Sequence, residues 1–134
     1  MFPRPRATAA AAVAALLVLA PASTARAGIL AAEEPHGELF LTVSNPEDTW
    51  TRGVMLTCPD NGGPHPRAAE ACTALDRAGG EMRALSGRER NCTLEHEPVV
   101  ATATGTWRGG SIRWQGEYPN TCALLKQTGV VFDF

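Results

Sequence analysis

His96 stands between Glu95 and Glu97 in the run Asn91-Cys92-Thr93-Leu94-Glu95-His96-Glu97-Pro98, the one place in the chain where a histidine is directly flanked by carboxylates. An imidazole beside a carboxylate is the material of general acid–base hydrolysis, the secreted-nuclease kind included. Neighbours on an extended loop point to opposite sides, so neither Glu95 nor Glu97 is well placed to share a proton with His96. His36 follows Pro35 and His65 lies between Pro64 and Pro66, so all three histidines read as solvent-exposed loop residues. Ser44, Ser86 and Ser111 lack a Gly-x-Ser-x-Gly surround, and with it the rigid turn a nucleophilic serine needs. No catalytic residue, cofactor or metal is expected.

The same segment offers a different chemistry, that of being acted upon. Leu94 is an aliphatic side chain in a polar, turn-prone stretch that is tied at Cys92 and stopped by Pro98. Proteases read substrate as an extended strand, with backbone hydrogen bonds giving affinity and alternate side chains filling pockets. An ordinary loop of this kind is cut and released. A pre-organised loop has already met its ordering cost, so it docks tightly, and after cleavage its ends stay in register for resynthesis.

Cysteine usage decides whether such rigidity is available. Cys58, Cys72, Cys92 and Cys122 form an even set without Cys-x-x-Cys or closely spaced Cys/His pairs, which favours two disulfides over tetrahedral zinc. Three pairings are open to four cysteines. The short-range solution would close loops of moderate size, each worth roughly 3 kcal/mol on the chain-entropy estimate. An oxidising compartment agrees with the amino terminus. Arg4 and Arg6 precede a run of 14 residues, Ala7 to Ala20, that is apolar except for Thr8, and Ala25-Arg26-Ala27 is a small-x-small cleavage pattern. Residues 1–27 are therefore expected to be a secretory signal peptide, with the mature chain starting near Gly28 and acting outside the cell. The competing reading, a membrane anchor, needs about 20 apolar residues. Without Arg4, Arg6 and Arg26, nine Lys and Arg face 14 Asp and Glu, a formal charge of −5. The nearest basic cluster, Arg83, Arg88 and Arg90, is interrupted by Glu81 and Glu89, so nucleic acid is excluded as a partner.

The elements that must hold the loop are mostly strands. Leu39 to Val43, Gly53 to Cys58, Val99 to Trp107, Ser111 to Tyr118 and Gly129 to Phe134 are short, rich in Val, Thr, Leu or aromatics, and bounded by turn residues. The expected fold is therefore α+β, a single five-stranded antiparallel sheet. Arg108-Gly109-Gly110 marks a hairpin. Ile112, Trp114 and Gly116 alternate with polar residues, as in a half-buried strand. Pro66 to Ala78 reads as a helix stopped by Gly79-Gly80, with Ala68, Cys72 and Leu75 on one face. Thr121 to Gln127 is a shorter helix with Asn120 as N-cap. Asp60 to Pro64 is a loop, and residues 28–38 are expected to be a loose amino-terminal arm of the one domain, 28–134.

From Leu39 to Phe134 the chain resembles the Streptomyces subtilisin-inhibitor family of secreted serine protease inhibitors. The likeness is carried by Leu41-Thr42-Val43, Val54-Met55-Leu56-Thr57-Cys58-Pro59, His65-Pro66, Ala71-Cys72-Thr73-Ala74-Leu75, Gly79-Gly80, Cys92 to Val99, Gly105-Thr106-Trp107-Arg108-Gly109, Asn120-Thr121-Cys122 and Val130 to Phe134, in this order. The resemblance implies disulfides Cys58–Cys72 and Cys92–Cys122. It also implies a homodimer formed by packing sheet faces, which would account for Trp107 or Trp114 on an otherwise exposed face, although a monomer core explains the tryptophans as well. The reactive bond it implies is Leu94–Glu95, with Asn91, Cys92 and Thr93 running upstream in the protease cleft and His96, Glu97 and Pro98 downstream. Asn120 matches a family asparagine that braces the loop.

Leucine at the primary position suits the apolar pocket of subtilisin-like, and also chymotrypsin-like, enzymes. It would leave the aspartate of a trypsin-like pocket unpaired, at a cost of about 1–3 kcal/mol. Two residues depart from what a subtilisin-like target prefers, and a third from what relatives often carry. Asn91 faces a subsite commonly filled by an apolar side chain, Glu95 sets a charge beside the scissile bond, and His96 stands where relatives often carry tyrosine. Two other functions compete: a non-catalytic secreted binding module, and a small hydrolase using His96. A rival register within the inhibitor reading takes Arg90 as the primary residue.

Overall fold

Leu39, Leu41 and Val43 alternate with Glu38, Phe40 and Thr42, a period of two that buries one side of an extended chain. In the computed structural model, which describes residues 34–134, they lie on β1 (Gly37–Ser44). The expected signal peptide and residues 28–33 of the arm lie outside the described residues. β2 (Thr51–Cys58), β3 (Val99–Trp107) and β4 (Gly110–Tyr118) complete an antiparallel sheet in the order β2-β1-β3-β4. Leu41 stands opposite Val54 on one side and Ala103 on the other, and Ala103 in turn opposite Trp114. That register puts the small and branched residues of three strands on one buried face. β3 and β4 are joined by Arg108 and Gly109, both at positive φ (46° and 82°), a two-residue turn whose twist matches the strands.

Both helices cover this face. α1 (Ala68–Arg77) buries Ala68, Ala71, Cys72 and Leu75 and stops where Gly79 and Gly80 take positive φ, with Gly80 N–H donating to Leu75 O at 2.9 Å. α2 (Thr121–Thr128) follows β4 directly. Cys58 and Cys72 form a disulfide that ties β2 to α1, and Cys92 and Cys122 a second one that ties the loop before β3 to α2. The pairings match those the resemblance implies.

Three expectations are corrected. The sheet has four strands rather than five, because Gly129–Phe132 forms a 3-10 turn continuing from α2. Gly129, at φ 63°, turns the chain back, and Val131 and Phe132 (0% and 2% exposed) drop into the core, Phe132 packing 5.6 Å from the Trp114 ring. A continuous apolar run carries no period that separates a strand from a buried turn. His65 is buried rather than in open solvent: Nε2 lies 3.0 Å from Val131 O, and Nδ1 accepts from Arg67 N–H at 3.0 Å. The end of the expected loose arm is ordered, since His36 N–H donates to Cys58 O, Arg108 N–H donates to His36 O, and Gly37 opens β1. Of the two explanations open for the tryptophans, the monomer core holds: Trp107 is buried edge-on against His36 with Gly37 and Gly80 beneath it, and Trp114 is half-buried against Phe132. Phe40 and Met55, directly opposite one another, are the large apolar side chains of the outer sheet face, 45% and 43% exposed.

Candidate functional site

Leu85 to Pro98 runs from a short 3-10 turn (Met82–Ala84) to β3 without regular structure. Such a stretch is held by side chains and crosslinks or not at all. Leu85 is a buried plug at its start. Gly87 lies flat against the Lys126 carbonyl at the end of α2, so close that a Cβ could not be accommodated. Ser86 O borders Gly129 in the same corner. Cys92 is then fixed to Cys122 in the first turn of α2, Cα to Cα 5.7 Å.

Two residues further on, Leu94 is fully exposed, the most exposed large apolar side chain among the described residues. Hydrophobic surface left in water this way costs stability that burial against a partner would recover. The backbone around it is gripped from below. Asn120 Nδ2 donates to Glu95 O at 2.8 Å and to Thr93 O at 3.3 Å, the carbonyls on either side of Leu94. Asn120 Oδ1 accepts from Ala123 N–H at 2.8 Å and so caps α2. Both donors and the acceptor oxygen of one side chain, itself only 8% exposed, join the helix terminus to the loop. Glu97 N–H donates to Pro119 O at 3.0 Å, holding the outgoing arm.

The candidate residues are thus brought together on one ridge. Asn91, Thr93, Leu94, Glu95, His96 and Glu97 are exposed along its crest, while Cys92 and Pro98 are half-buried at its two feet. Asn120 lies beneath. Arg90 is exposed upstream of Cys92, outside the span that Asn120 holds. Two further features carry little or no local signal in the sequence. Gly87 sits in an unremarkable Ser-Gly-Arg run, and its contact with Lys126 is 39 residues away in the chain, so only the folded chain reveals it. The Pro119 carbonyl has no side-chain signal at all.

Exposed ion pairs join the other elements at the surface, and one of them, Arg88 to Glu70 at 3.8 Å, starts on the incoming arm itself. Arg67 donates to Asp133 at 3.0 Å and to Glu70 at 2.8 Å, and its guanidinium is held further toward the charged form by the Asp133 bond first and by Glu70 after it. Asp76 Oδ1 is shared by His36 Nε2 and Arg108 Nη2, each at 3.1 Å. Among the described residues no group of three or more His, Cys, Asp and Glu side chains could hold a metal ion.

With the ridge described, comparison with known proteins places the chain as a whole. The sequence model of the subtilisin inhibitor-like family matches residues 35–120. The chain belongs to the subtilisin inhibitor-like family. Among family members, a subtilase-type protease inhibitor of Streptomyces fradiae is 38% identical over 130 residues, covering 91% of each chain. A subtilisin inhibitor of Streptomyces violaceus is 38% identical over 138 residues, covering 92% of each. A chain in the crystal structure of Streptomyces caespitosus sermetstatin in complex with Bacillus licheniformis subtilisin aligns with a TM-score of 0.59 at 29% identity, over 72% of this chain and 97% of that one. The family model ends at Asn120, the residue on which the ridge rests.

Proposed function

We propose that this protein is a secreted, non-enzymatic, reversible inhibitor of subtilisin-like serine proteases and that Leu94–Glu95 is its reactive bond. The observation that carries the reading is Leu94, fully in solvent while the carbonyls before and after it are both hydrogen-bonded to Asn120. Relatives named as subtilase-type protease inhibitors, and a structural neighbour bound to subtilisin, support the target class.

The inhibition follows from what happens after attack on the Leu94 carbonyl. In a free peptide the leaving amine diffuses away and the acyl-enzyme is hydrolysed. Here the new amine at Glu95 stays tethered by the Glu95 O–Asn120 bond and the Glu97 N–H–Pro119 O bond, while the acyl side is held through Cys92–Cys122. An amine retained within reach has a high effective concentration, so resynthesis competes with water. Asn91, Cys92 and Thr93 line the acyl side of the cleft, and His96, Glu97 and Pro98 the leaving-group side. Arg90 lacks the bracing that favours the Leu94 register. Chymotrypsin-like enzymes, with a similar apolar pocket, are weaker targets.

Phe40 and Met55 on the outer sheet face support a homodimer built on that face, away from the ridge. Met55→Lys should leave a monomer in sedimentation analysis. The function itself is tested by titrating the protein against subtilisin, chymotrypsin and trypsin with intact-mass analysis of what is recovered. Stoichiometric loss of subtilisin activity with persistent protein is expected. Turnover of the protein as a plain substrate refutes the reading, and hydrolase activity abolished by His96→Ala would replace it.

A further inference from the structure

Beside the ridge lies a groove of about 390 Å³ that the reactive bond does not use. Its floor and walls are Pro46, Glu47 and Trp50 from the β1–β2 turn, Glu97 and Pro98 from the outgoing arm of the loop, and Thr121 from α2. Trp50 is 42% exposed, and an indole left in water on a turn asks for a reason. The turn is not slack. Asn45 Oδ1 accepts from Thr49 N–H at 2.8 Å and from Trp50 N–H at 3.2 Å, while its Nδ2 donates to Thr49 Oγ1 and Glu47 Oε2. Arg52 lies 5.7 Å from the Trp50 ring and covers one of its faces. The rest of the groove is formed by two proline rings, two carboxylates and the smaller side chains of Asn45, Val99 and Thr121.

Resting on the inhibitor reading, we propose that this groove is a second contact for the target protease, with Trp50 as a specificity-determining residue outside the reactive loop. Position decides the occupant. Pro98 is four residues from Leu94, at most about 13 Å along an extended chain. A protease–inhibitor interface takes about 800 Å² from each partner, a patch of roughly 16 Å radius, so a protease centred on Leu94 reaches the groove. Glu97 and Pro98 belong to the leaving-group side of the ridge and to the groove wall at once, which makes the two surfaces continuous. Aromatic and proline walls flanked by Glu47 and Glu97 suit a long side chain with an apolar stem and a cationic head, a lysine or arginine on the protease's leaving-group rim.

The test uses wild type, Trp50→Ala and Glu47→Lys against subtilisin, with tryptophan oxidation read by mass spectrometry in the free protein and in the complex. Trp50→Ala should raise Ki about tenfold, chiefly through faster dissociation, with a melting temperature close to wild type. Glu47→Lys should also weaken binding, more at low salt than at high. On wild type, Trp50 should be oxidised readily when free and protected in the complex, a readout that does not depend on how the variants fold. Equal oxidation in both states, an unchanged Ki for Trp50→Ala, or tighter binding by Glu47→Lys overturns the proposal while leaving the reactive bond standing. Protection that grows with protein concentration in the absence of protease assigns the groove to a second copy and also overturns it. If wild type is merely digested, the inhibitor reading fails and this contact falls with it.

Discussion

Asn120→Asp separates two jobs that one side chain performs. The aspartate keeps an oxygen to accept from Ala123 N–H, and its charge suits a helix amino terminus, so the cap survives. It loses both N–H donors, so the bonds to Thr93 O and Glu95 O vanish. A neutral hydrogen bond contributes about 1 kcal/mol net, and the 3.3 Å one less, while the cap charge offsets part of the loss. Global stability should fall by under about 1 kcal/mol, roughly 5 °C in melting temperature for a domain of this size. The loop pays differently. Freeing about two residues returns roughly 2–3 kcal/mol of backbone entropy to the cleaved, open form, which moves the balance between resealing and release about 50-fold toward release. Asn120→Ala should add the lost cap, for a total of about 2 kcal/mol. The assay is incubation with catalytic subtilisin, following intact mass and residual inhibition. Wild type should persist; Asn120→Asp should fold, inhibit briefly and then be cut between Leu94 and Glu95. An Asn120→Asp protein that inhibits as durably as wild type, or one whose only change is a lower melting temperature, would refute the bracing argument.

Leu94→Lys should move inhibition from subtilisin toward trypsin-like enzymes, with Ki ratios changing by at least about tenfold, since the change is confined to a side chain fully in solvent and leaves the fold untouched. Gly87→Ala should detach the incoming arm from the Lys126 carbonyl, costing about 1–3 kcal/mol and speeding hydrolysis at Leu94–Glu95, read by calorimetry and by cleavage rate. Tyr118, the single tyrosine, is raised above its usual ionisation range by burial. Because the folded state favours the neutral phenol, its contribution is intact below pH 10 and is lost as pH rises through the higher folded value. Stability should therefore decline above pH 10 in wild type and less steeply in Tyr118→Phe, compared by denaturant melts.

Much of the architecture was legible because it rests on short-range periodicity. Leu39-x-Leu41-x-Val43 and Ile112-x-Trp114 announce half-buried strands, Gly79-Gly80 stops α1, and Asn120 before Thr121 reads as a cap. Val130-Val131-Phe132 reads as a fifth strand in the sequence because a fully buried run has no alternation to show. His65 between two prolines looked like surface loop. Its burial depends on the Val131 carbonyl, 66 residues away, which accounts for the sequence's silence. The ridge itself was legible in Leu94 and Cys92, whose types and spacing are local. What makes it rigid was legible only in part. The Asn120 bonds to Thr93 and Glu95 span 27 and 25 residues and were expected through resemblance alone, and the Gly87 and Pro119 contacts were not expected at all. Trp50 likewise gained meaning only when folding set its turn beside Glu97 and Pro98.

Resealing is the most direct test of the claim that rigidity turns this substrate into an inhibitor. Protein cut at Leu94–Glu95 is purified with both disulfides intact, mixed with a catalytic amount of subtilisin, and followed by intact mass beside a parallel sample begun from uncut protein. The account predicts that both samples converge on one ratio of intact to cut protein, each remaining inhibitory throughout. Cut protein that is never rejoined, while uncut protein runs on to complete digestion, would contradict it.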